Sequence, residues 1–233
     1  MMNTIRQRHH GHVIRTSQPL TARQRDQLVA CFRAEAELSQ TMLGGRRRMP
    51  GIPLENVGRV VVKSYYRGGL IARFNRRHYI RGRTTRSEKE FDWLIRVRRL
   101  GIRAPEPIAA AHRGGLFCRC WLVIREVPAA ASLAQVSIAR PESLDALLAH
   151  CRRQIRRLIA NRILHPDLHP GNVLVDPGGN TWIIDFDRAR AYGRGHSRLA
   201  ARYRRRWKAA VRKHGLPTEL AAILPADASG GAG

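Results

Sequence analysis

The feature that most restricts this chain is the run "HPDLHPGNVLVDPGGNTWIIDFD" from His165 to Asp187. Pro166 and Pro170 exclude a helix across its first part, so His165 and His169 do not share the i, i+4 face that a helical zinc pair needs. Proline and glycine instead hold an irregular loop, the kind of segment on which catalytic groups are displayed. The runs "NVLVD" and "TWIID" then flank the turn residues "PGGN" and predict a β-hairpin. With Asp176 and Thr181 closing a four-residue turn, Asn172 is expected directly across from Asp185, their Cβ atoms about 5 Å apart. An amide oxygen and a carboxylate converging in this way suit Mg²⁺, with waters and phosphates completing its shell. Asp167 is expected on the adjoining loop as a separate carboxylate.

This constellation resembles the catalytic loop H-x-D-x-x-x-x-N and the following D-F-x magnesium motif of protein kinase-like enzymes. Here it stands as His165, Asp167, Asn172 and then Asp185-Phe186-Asp187. The resemblance implies that Asp167 orients or deprotonates an acceptor hydroxyl, while Asn172 and Asp185 hold Mg²⁺ on the phosphates of ATP. It also requires a strand lysine upstream, and Lys63 ends the β-branched run "VVVK". Only four of the 43 basic residues are lysine, so a strand lysine here points to a need for a compact ammonium. Its helical partner is Glu90 or Glu88. Each could instead close a capping box, from Ser87 or Thr85 respectively, and Glu90 lies deeper in a helix capped by Thr85. A G-x-G-x-x-G loop is missing; "GGRRRMPG" from Gly44 is a basic stand-in. No A-P-E follows Asp185, and only 48 residues remain after it, too few for the large helical substrate lobe of ordinary protein kinases.

The expected architecture is α+β: a bilobal protein kinase-like fold with a small antiparallel sheet and one helix in the N-lobe and a short, mostly helical C-lobe. Residues 1–40 are polar and basic and are expected to be a peripheral lead-in with one short helix near Gln27 to Leu38. Residues 41–127 form the N-lobe, with strands at Gly58–Tyr66 and Leu116–Val127. Between them lies a helix over Thr85–Leu100, with Phe91, Leu94, Ile95 and Val97 at helical spacing. Residues 128–215 form the C-lobe. There Leu147, Leu148, Cys151, Ile155, Leu158 and Ile159 define one helical face, and Arg152, Arg153, Arg156 and Arg157 the other. The tail 216–233, ending "ADASGGAG", is expected to be disordered. Cys31, Cys118, Cys120 and Cys151 form no CxxC pair and are expected as free thiols.

The formal net charge of +26 and pI near 11.7 call for an anionic partner: nucleic acid, an acidic membrane surface or a phosphorylated substrate. The absence of an RNP-type aromatic motif makes nucleic acid the weaker choice. A nucleic-acid-associated protein with a degenerate kinase fold stays open from the charge alone. "VVVKSYYRGGLIARFN", "EFDWLIRVRRLGIRAPEPIAA", "HPDLHPGNVLVD" and "WIIDFDRAR" together resemble the lipopolysaccharide core kinases, and among these the enzymes acting on 3-deoxy-D-manno-octulosonic acid (Kdo). Tyr65 to Gly69 is the most particular part; His169-Pro170-Gly171 is closer to protein kinases. The resemblance implies ATP- and Mg²⁺-dependent phosphorylation of a Kdo hydroxyl on a lipid A precursor, with heptose kinase and small atypical protein kinase as alternatives. It also implies a cytoplasmic protein, peripheral on the cytoplasmic face of the inner membrane. Its anionic leaflet gives the arginines a purpose. The N-terminus has no apolar leader-like core, and no segment approaches the roughly 20 apolar residues of a membrane span. "SRLAARYRRRWKAAVRKHG" carries Leu199, Tyr203, Trp207 and Val211 along one helical side. That fits either an interfacial helix or one packed on the C-lobe.

Overall fold

The computed structural model describes residues 4–41, 51–65, 79–80, 84–115 and 117–224, without the side chains of 35–41, 79–80 and 117. The chain divides into two compact units, Met1–Asp92 with Glu106–Glu126, and Trp93–Pro105 with Val127–Gly233.

In the first unit the strands are β1 (Ile5–His9), β2 (His12–Thr16), β3 (Ile52–Leu54), β4 (Gly58–Ser64), β5 (Tyr79–Ile80), β6 (Pro107–Gly114) and β7 (Phe117–Arg125). Helix α1 (Ala22–Thr41) follows β2, and α2 (Arg86–Arg99) follows β5, with its residues from Trp93 onward assigned to the second unit. Among the described residues the sheet has seven antiparallel strands in the order β1-β2-β6-β7-β4-β3, and β5 also pairs with β7. One edge of β7 therefore holds β6, while β4 and β5 share the other.

Side-chain alternation sorts the two faces of this sheet. Val60, Val62, Ala109, Ala111, Trp121 and Val123 lie in one buried cluster with Ile14 of β2 and with Leu28, Val29 and Phe32 of α1. Phe32 stacks on Trp121 with ring centroids 4.9 Å apart, and the buried His12 ring lies against both. Lys63, one residue past Val62, falls on the opposite parity, paired across the ladder with Leu122.

The first 40 residues thus do more than lead in: they supply two strands, a helix and part of the core. Their apolar residues are sparse and interleaved with arginine, so the periodicity is faint, and burial depends in part on β6 and β7, more than 70 residues away. At the hairpin tip His9 and His10 both meet Asp26 of α1, at 2.6 and 3.2 Å. Cys118 and Cys120 lie on one face with sulfurs 3.5 Å apart, and all four cysteines are free.

The second unit contains β8 (Ala131–Ser132), α3 (Leu133–Ala139), α4 (Leu144–Ala160), β9 (Ile163–Leu164), β10 (Val173–Val175), β11 (Thr181–Ile183), β12 (Arg190–Ala191) and α5 (His196–Lys213). β11-β10-β8 and β12-β9 form two small sheets. Ser132 caps α3 in a reciprocal box with Gln135. Leu147, Leu148, Cys151, Ile155 and Leu158 of α4 are buried as the helical pattern predicts. Gln154, on the same side, donates to the Thr181 carbonyl at 2.7 Å and accepts from the Arg103 N–H at 2.9 Å.

On α5 the apolar side, Leu199, Tyr203, Trp207 and Val211, is buried inside this unit. The helix is a packed one, with arginines outward. Residues 216–224, expected within a disordered tail, are instead ordered. Thr218–Ile223 forms a 3₁₀ turn with Leu220 and Ile223 buried. Trp207 donates to Leu220 O at 2.8 Å and Arg152 to Ile223 O at 3.0 Å. Residues 225–233 lie outside the described residues. No helix among the described residues is long and apolar enough to cross a membrane.

If residues 1–40 are part of the fold, Phe32→Ala should lower unfolding stability by about 3–5 kcal/mol, because it removes an aromatic stack and leaves a cavity. Denaturant titration measures this. A loss below about 1 kcal/mol would restore the segment to a lead-in.

Candidate active site

In the first unit, Lys63 Nζ donates to both carboxylate oxygens of Glu90, at 3.0 and 2.7 Å. The carboxylate is almost wholly buried, its side chain 3% exposed against 29% for Lys63. A buried charge needs both a counter-charge and hydrogen bonds. Tyr65, two residues past Lys63, supplies the latter: its O–H donates to Glu90 Oε2, and its ring lies 5.2 Å from Lys63 Nζ.

Glu88 does different work. Thr85 N–H donates to its Oε2 at 2.8 Å, and the Glu88 N–H donates to Thr85 Oγ1 at 3.2 Å, closing a capping box at the start of α2. Its other oxygen takes Arg6 at 2.5 Å. Burial works against the Glu88 charge, but the Thr85 hydrogen bonds and Arg6 outweigh it and hold the carboxyl below its usual range. The two glutamates that were equivalent in sequence are therefore separated: Glu88 caps, and Glu90 meets the lysine.

The second unit carries the loop and hairpin, with one correction to the expected register. Val173 pairs with Ile183, and Val175 with Thr181. Asp176 N–H donates to Asn180 O at 3.0 Å, and Gly179 N–H donates back to Asp176 O at 3.0 Å. The connection is one residue shorter than "PGGN", because Gly179 at φ +73° closes a three-residue loop. The neighbour of Asn172 is thus Ile184, whose N–H donates to Asn172 O at 3.0 Å. Asp185 is one step beyond the ladder, in the left-handed region at φ 68° and ψ 57°. Asp tolerates that region better than most residues, yet it holds only where the surroundings over-determine it.

Those surroundings centre on His165, whose residue is 1% exposed. Its Nε2 lies 3.0 Å from Ile184 O; a carbonyl only accepts, so Nε2 carries the proton. Its ring stands edge-on to Phe186 at 4.8 Å, and Phe186 is fully buried. One imidazole therefore holds the peptide before Asp185 by its carbonyl and packs on the side chain of the residue after it. Burial pushes the His165 pKa below its usual value, against the raising effects of the Ile184 carbonyl, Asp185 and Asp167.

The loop itself is tied down by backbone groups. His169 Nδ1 accepts from Gly171 N–H at 3.1 Å, capping the 3₁₀ turn Pro170–Asn172. A Cβ at residue 171 would meet the His169 ring at 2.9 Å, so only glycine permits this approach. Asn172 Nδ2 donates to the Asp167 carbonyl at 2.8 Å. That bond uses the amide's nitrogen end and leaves its oxygen end to serve as a ligand. Carboxylate and amide oxygens are the donor set Mg²⁺ takes, so Asn172 and Asp185 fit the ion.

Three contributors were not legible in sequence. Tyr203 of α5 donates to Ile163 O at 2.7 Å and accepts from His165 N–H at 2.8 Å, fixing the entry to the loop. Arg206 Nη2 and Arg188 Nη1 reach the two oxygens of Asp167 at 3.2 and 3.7 Å. A tyrosine on an apolar helix face and two arginines among many carry no local signal. The stand-in for the Gly-rich loop, Gly44–Pro50, and Tyr66–Gly69 lie outside the described residues.

A lysine–glutamate pair behind one strand, and an aspartate loop leading into an asparagine and a second aspartate, define the protein kinase-like class of phosphotransferase folds. Residues 44–208 match the lipopolysaccharide kinase (Kdo/WaaP) family, and the chain belongs to that family. It is 36% identical over 134 residues to a 3-deoxy-D-manno-octulosonic acid kinase of Xylella fastidiosa (strain M12), covering 56% of this chain and 53% of that protein. It is 35% identical over 130 residues to the protein of the same name from Vibrio cholerae serotype O1, covering 54% and 55%. A third, from Xanthomonas oryzae pv. oryzae, is 36% identical over 135 residues, covering 56% and 53%. The matches span about half the length of these curated relatives.

The depressed His165 pKa has a measurable consequence. Below its unfolded value of about 6.5 the unfolded chain binds a proton that the buried imidazole refuses, so stability is lost as pH falls. His12 and His169, both lowered chiefly by burial, act in the same direction. Denaturant midpoints should therefore fall between about pH 7 and pH 5. His165→Gln, whose amide can still donate to Ile184, should show a shallower fall. Identical slopes for the two proteins would contradict a neutral buried His165.

Proposed function

We propose that this protein transfers the γ-phosphoryl group of ATP to a hydroxyl of Kdo on a lipid A precursor. The observation that carries this reading is the way the loop is held. Asn172 spends its amide nitrogen on the Asp167 carbonyl and keeps its oxygen, Asp185 is gripped just past the ladder, and Asp167 is left with a carboxylate at the surface.

On this reading Lys63, steadied by Glu90 and Tyr65, binds the α- and β-phosphates as a point charge. Asn172 and Asp185 would hold Mg²⁺, which when bound neutralises charge on the nucleotide phosphates. Asp167 accepts a hydrogen bond from the acceptor hydroxyl, orients its oxygen toward the γ-phosphorus and takes its proton as the new O–P bond forms and the bond to the ADP leaving oxygen breaks. Family membership and the name borne by the relatives support Kdo as the acceptor sugar.

The same reading places the protein peripherally on the cytoplasmic face of the inner membrane, held by charge. The net charge is +26, and α5 turns Arg198, Arg202, Arg205, Lys208 and Arg212 outward while its apolar side is buried. With no apolar wedge on that helix, attraction to an anionic leaflet would be electrostatic and screened by salt.

Mass spectrometry after incubation with Mg-ATP tests both parts, using a Kdo-containing lipid A precursor, a heptosylated core and a protein mixture in parallel. One added phosphate is expected on Kdo alone. Transfer to acceptor in anionic vesicles should fall as salt rises, whereas transfer to detergent-dispersed acceptor should change little. Phosphate on heptose or protein, or on none of the three, would refute the assigned acceptor. Salt-independent transfer in vesicles would refute the charge-held surface.

A further inference from the structure

Asp167 meets two guanidinium groups from different elements, Arg206 of α5 on Oδ1 and Arg188 of the Phe186–Arg188 turn on Oδ2. In a chain with this much arginine, such neighbours need a reason beyond composition, and their supports supply one. Arg206 stands one turn after Tyr203, whose hydroxyl is locked between Ile163 O and His165 N–H. Arg188 closes the turn that starts from the fully buried Phe186, with Ala189 N–H donating to Phe186 O at 2.9 Å. Two buried anchors thus deliver two exposed arginines to one carboxylate.

Stability does not explain the arrangement. The side chains of Arg188, Arg206 and Asp167 are 68, 47 and 35% exposed, and ion pairs this open to water contribute little to stability. Nor does one carboxylate balance two guanidinium groups. The planar guanidinium fork is suited to carboxylate and phosphate, which it grips with paired hydrogen bonds.

We propose that Arg188 and Arg206 form an oxyanion-binding site that holds a carboxylate or phosphate of the acceptor beside Asp167. This rests on the reading of Asp167 as the group that receives the acceptor hydroxyl. Without acceptor the arginines lean on Asp167. An acceptor oxyanion takes the place of the carboxylate as their partner, releasing Asp167 for the hydroxyl and holding the hydroxyl within its reach. The pair thus selects an acidic acceptor and rejects neutral sugars, whose hydroxyls leave the guanidinium charges unanswered.

The test compares wild type, R188Q/R206Q and R153Q/R156Q, the last removing two exposed arginines of α4 as a charge-matched control. In steady-state kinetics with Kdo-bearing lipid A precursor, R188Q/R206Q should raise the acceptor KM by about tenfold or more, the scale of lost charge-assisted hydrogen bonds. Its KM for ATP should stay within about twofold, and the control should change neither.

Two altered acceptors identify the source of the oxyanion: one with the Kdo carboxylate methylated, one with the lipid A phosphates removed. The modification that removes the recognised group should raise the wild-type KM and leave R188Q/R206Q little further affected. A rise in ATP KM, an equal effect of the control, or indifference to both altered acceptors would overturn the proposal. Equilibrium titration with free Kdo and with inorganic phosphate provides a readout apart from turnover. At least one of these should bind wild type and bind R188Q/R206Q about tenfold more weakly; equal binding to both proteins would overturn the proposal. If wild type transfers no phosphate to Kdo, the proposed activity fails and the titration alone decides the arginine pair.

Discussion

One hydrogen bond organises the second unit: His165 Nε2–H donating to the carbonyl of Ile184. It joins the residue before the loop to the residue before Asp185, two points 19 positions apart. Its surroundings hold that donor in place, and burial keeps it neutral against the pull of the neighbouring carboxylates. Phe186 packs on the ring, Tyr203 holds the His165 peptide, and burial disfavours the charged imidazolium. Asp185 can then occupy a backbone region that few non-glycine residues hold. The strain at Asp185 and the burial of His165 are two parts of one device.

The first unit solves a different problem, keeping a lysine and a glutamate together with the glutamate almost out of water. Strand parity decides which side Lys63 takes: Val60 and Val62 commit one face to the core with α1, leaving Lys63 to the other. Helix phase does the same for the glutamates. Two positions apart on a helix means directions about 200° apart, so only one of Glu88 and Glu90 can face Lys63 while the other serves Thr85 and Arg6. Tyr65 then supplies the hydrogen bond that a buried carboxylate needs beyond its ion pair.

The sequence made the site more legible than the fold around it. His165, Asp167, Asn172 and Asp185 stand at fixed spacings between prolines and turn residues, and Lys63 is a rare lysine at a strand end. The hairpin register was off by one, because the loop length depends on which glycine takes the left-handed conformation, and Gly178 and Gly179 are adjacent. The β1–β2 hairpin and α1 were missed as core elements because their burial arises from contacts with β6 and β7, far along the chain. The α5 pattern was readable as amphipathic, but its choice between membrane and protein lay in partners such as Leu220, which periodicity cannot name.

On the proposed function two aspartates divide the labour, Asp185 serving the metal-bound nucleotide and Asp167 the acceptor. The most direct measurement is Mg-ATP binding and phosphoryl transfer side by side for Asp167→Asn and Asp185→Asn, each nearly isosteric with the residue it replaces. Asp167→Asn should keep Mg-ATP affinity within a few-fold while losing about 10² to 10⁴ in turnover. Asp185→Asn should weaken Mg-dependent nucleotide binding itself. Normal turnover in Asp167→Asn, or unchanged Mg-ATP binding in Asp185→Asn, would contradict the account.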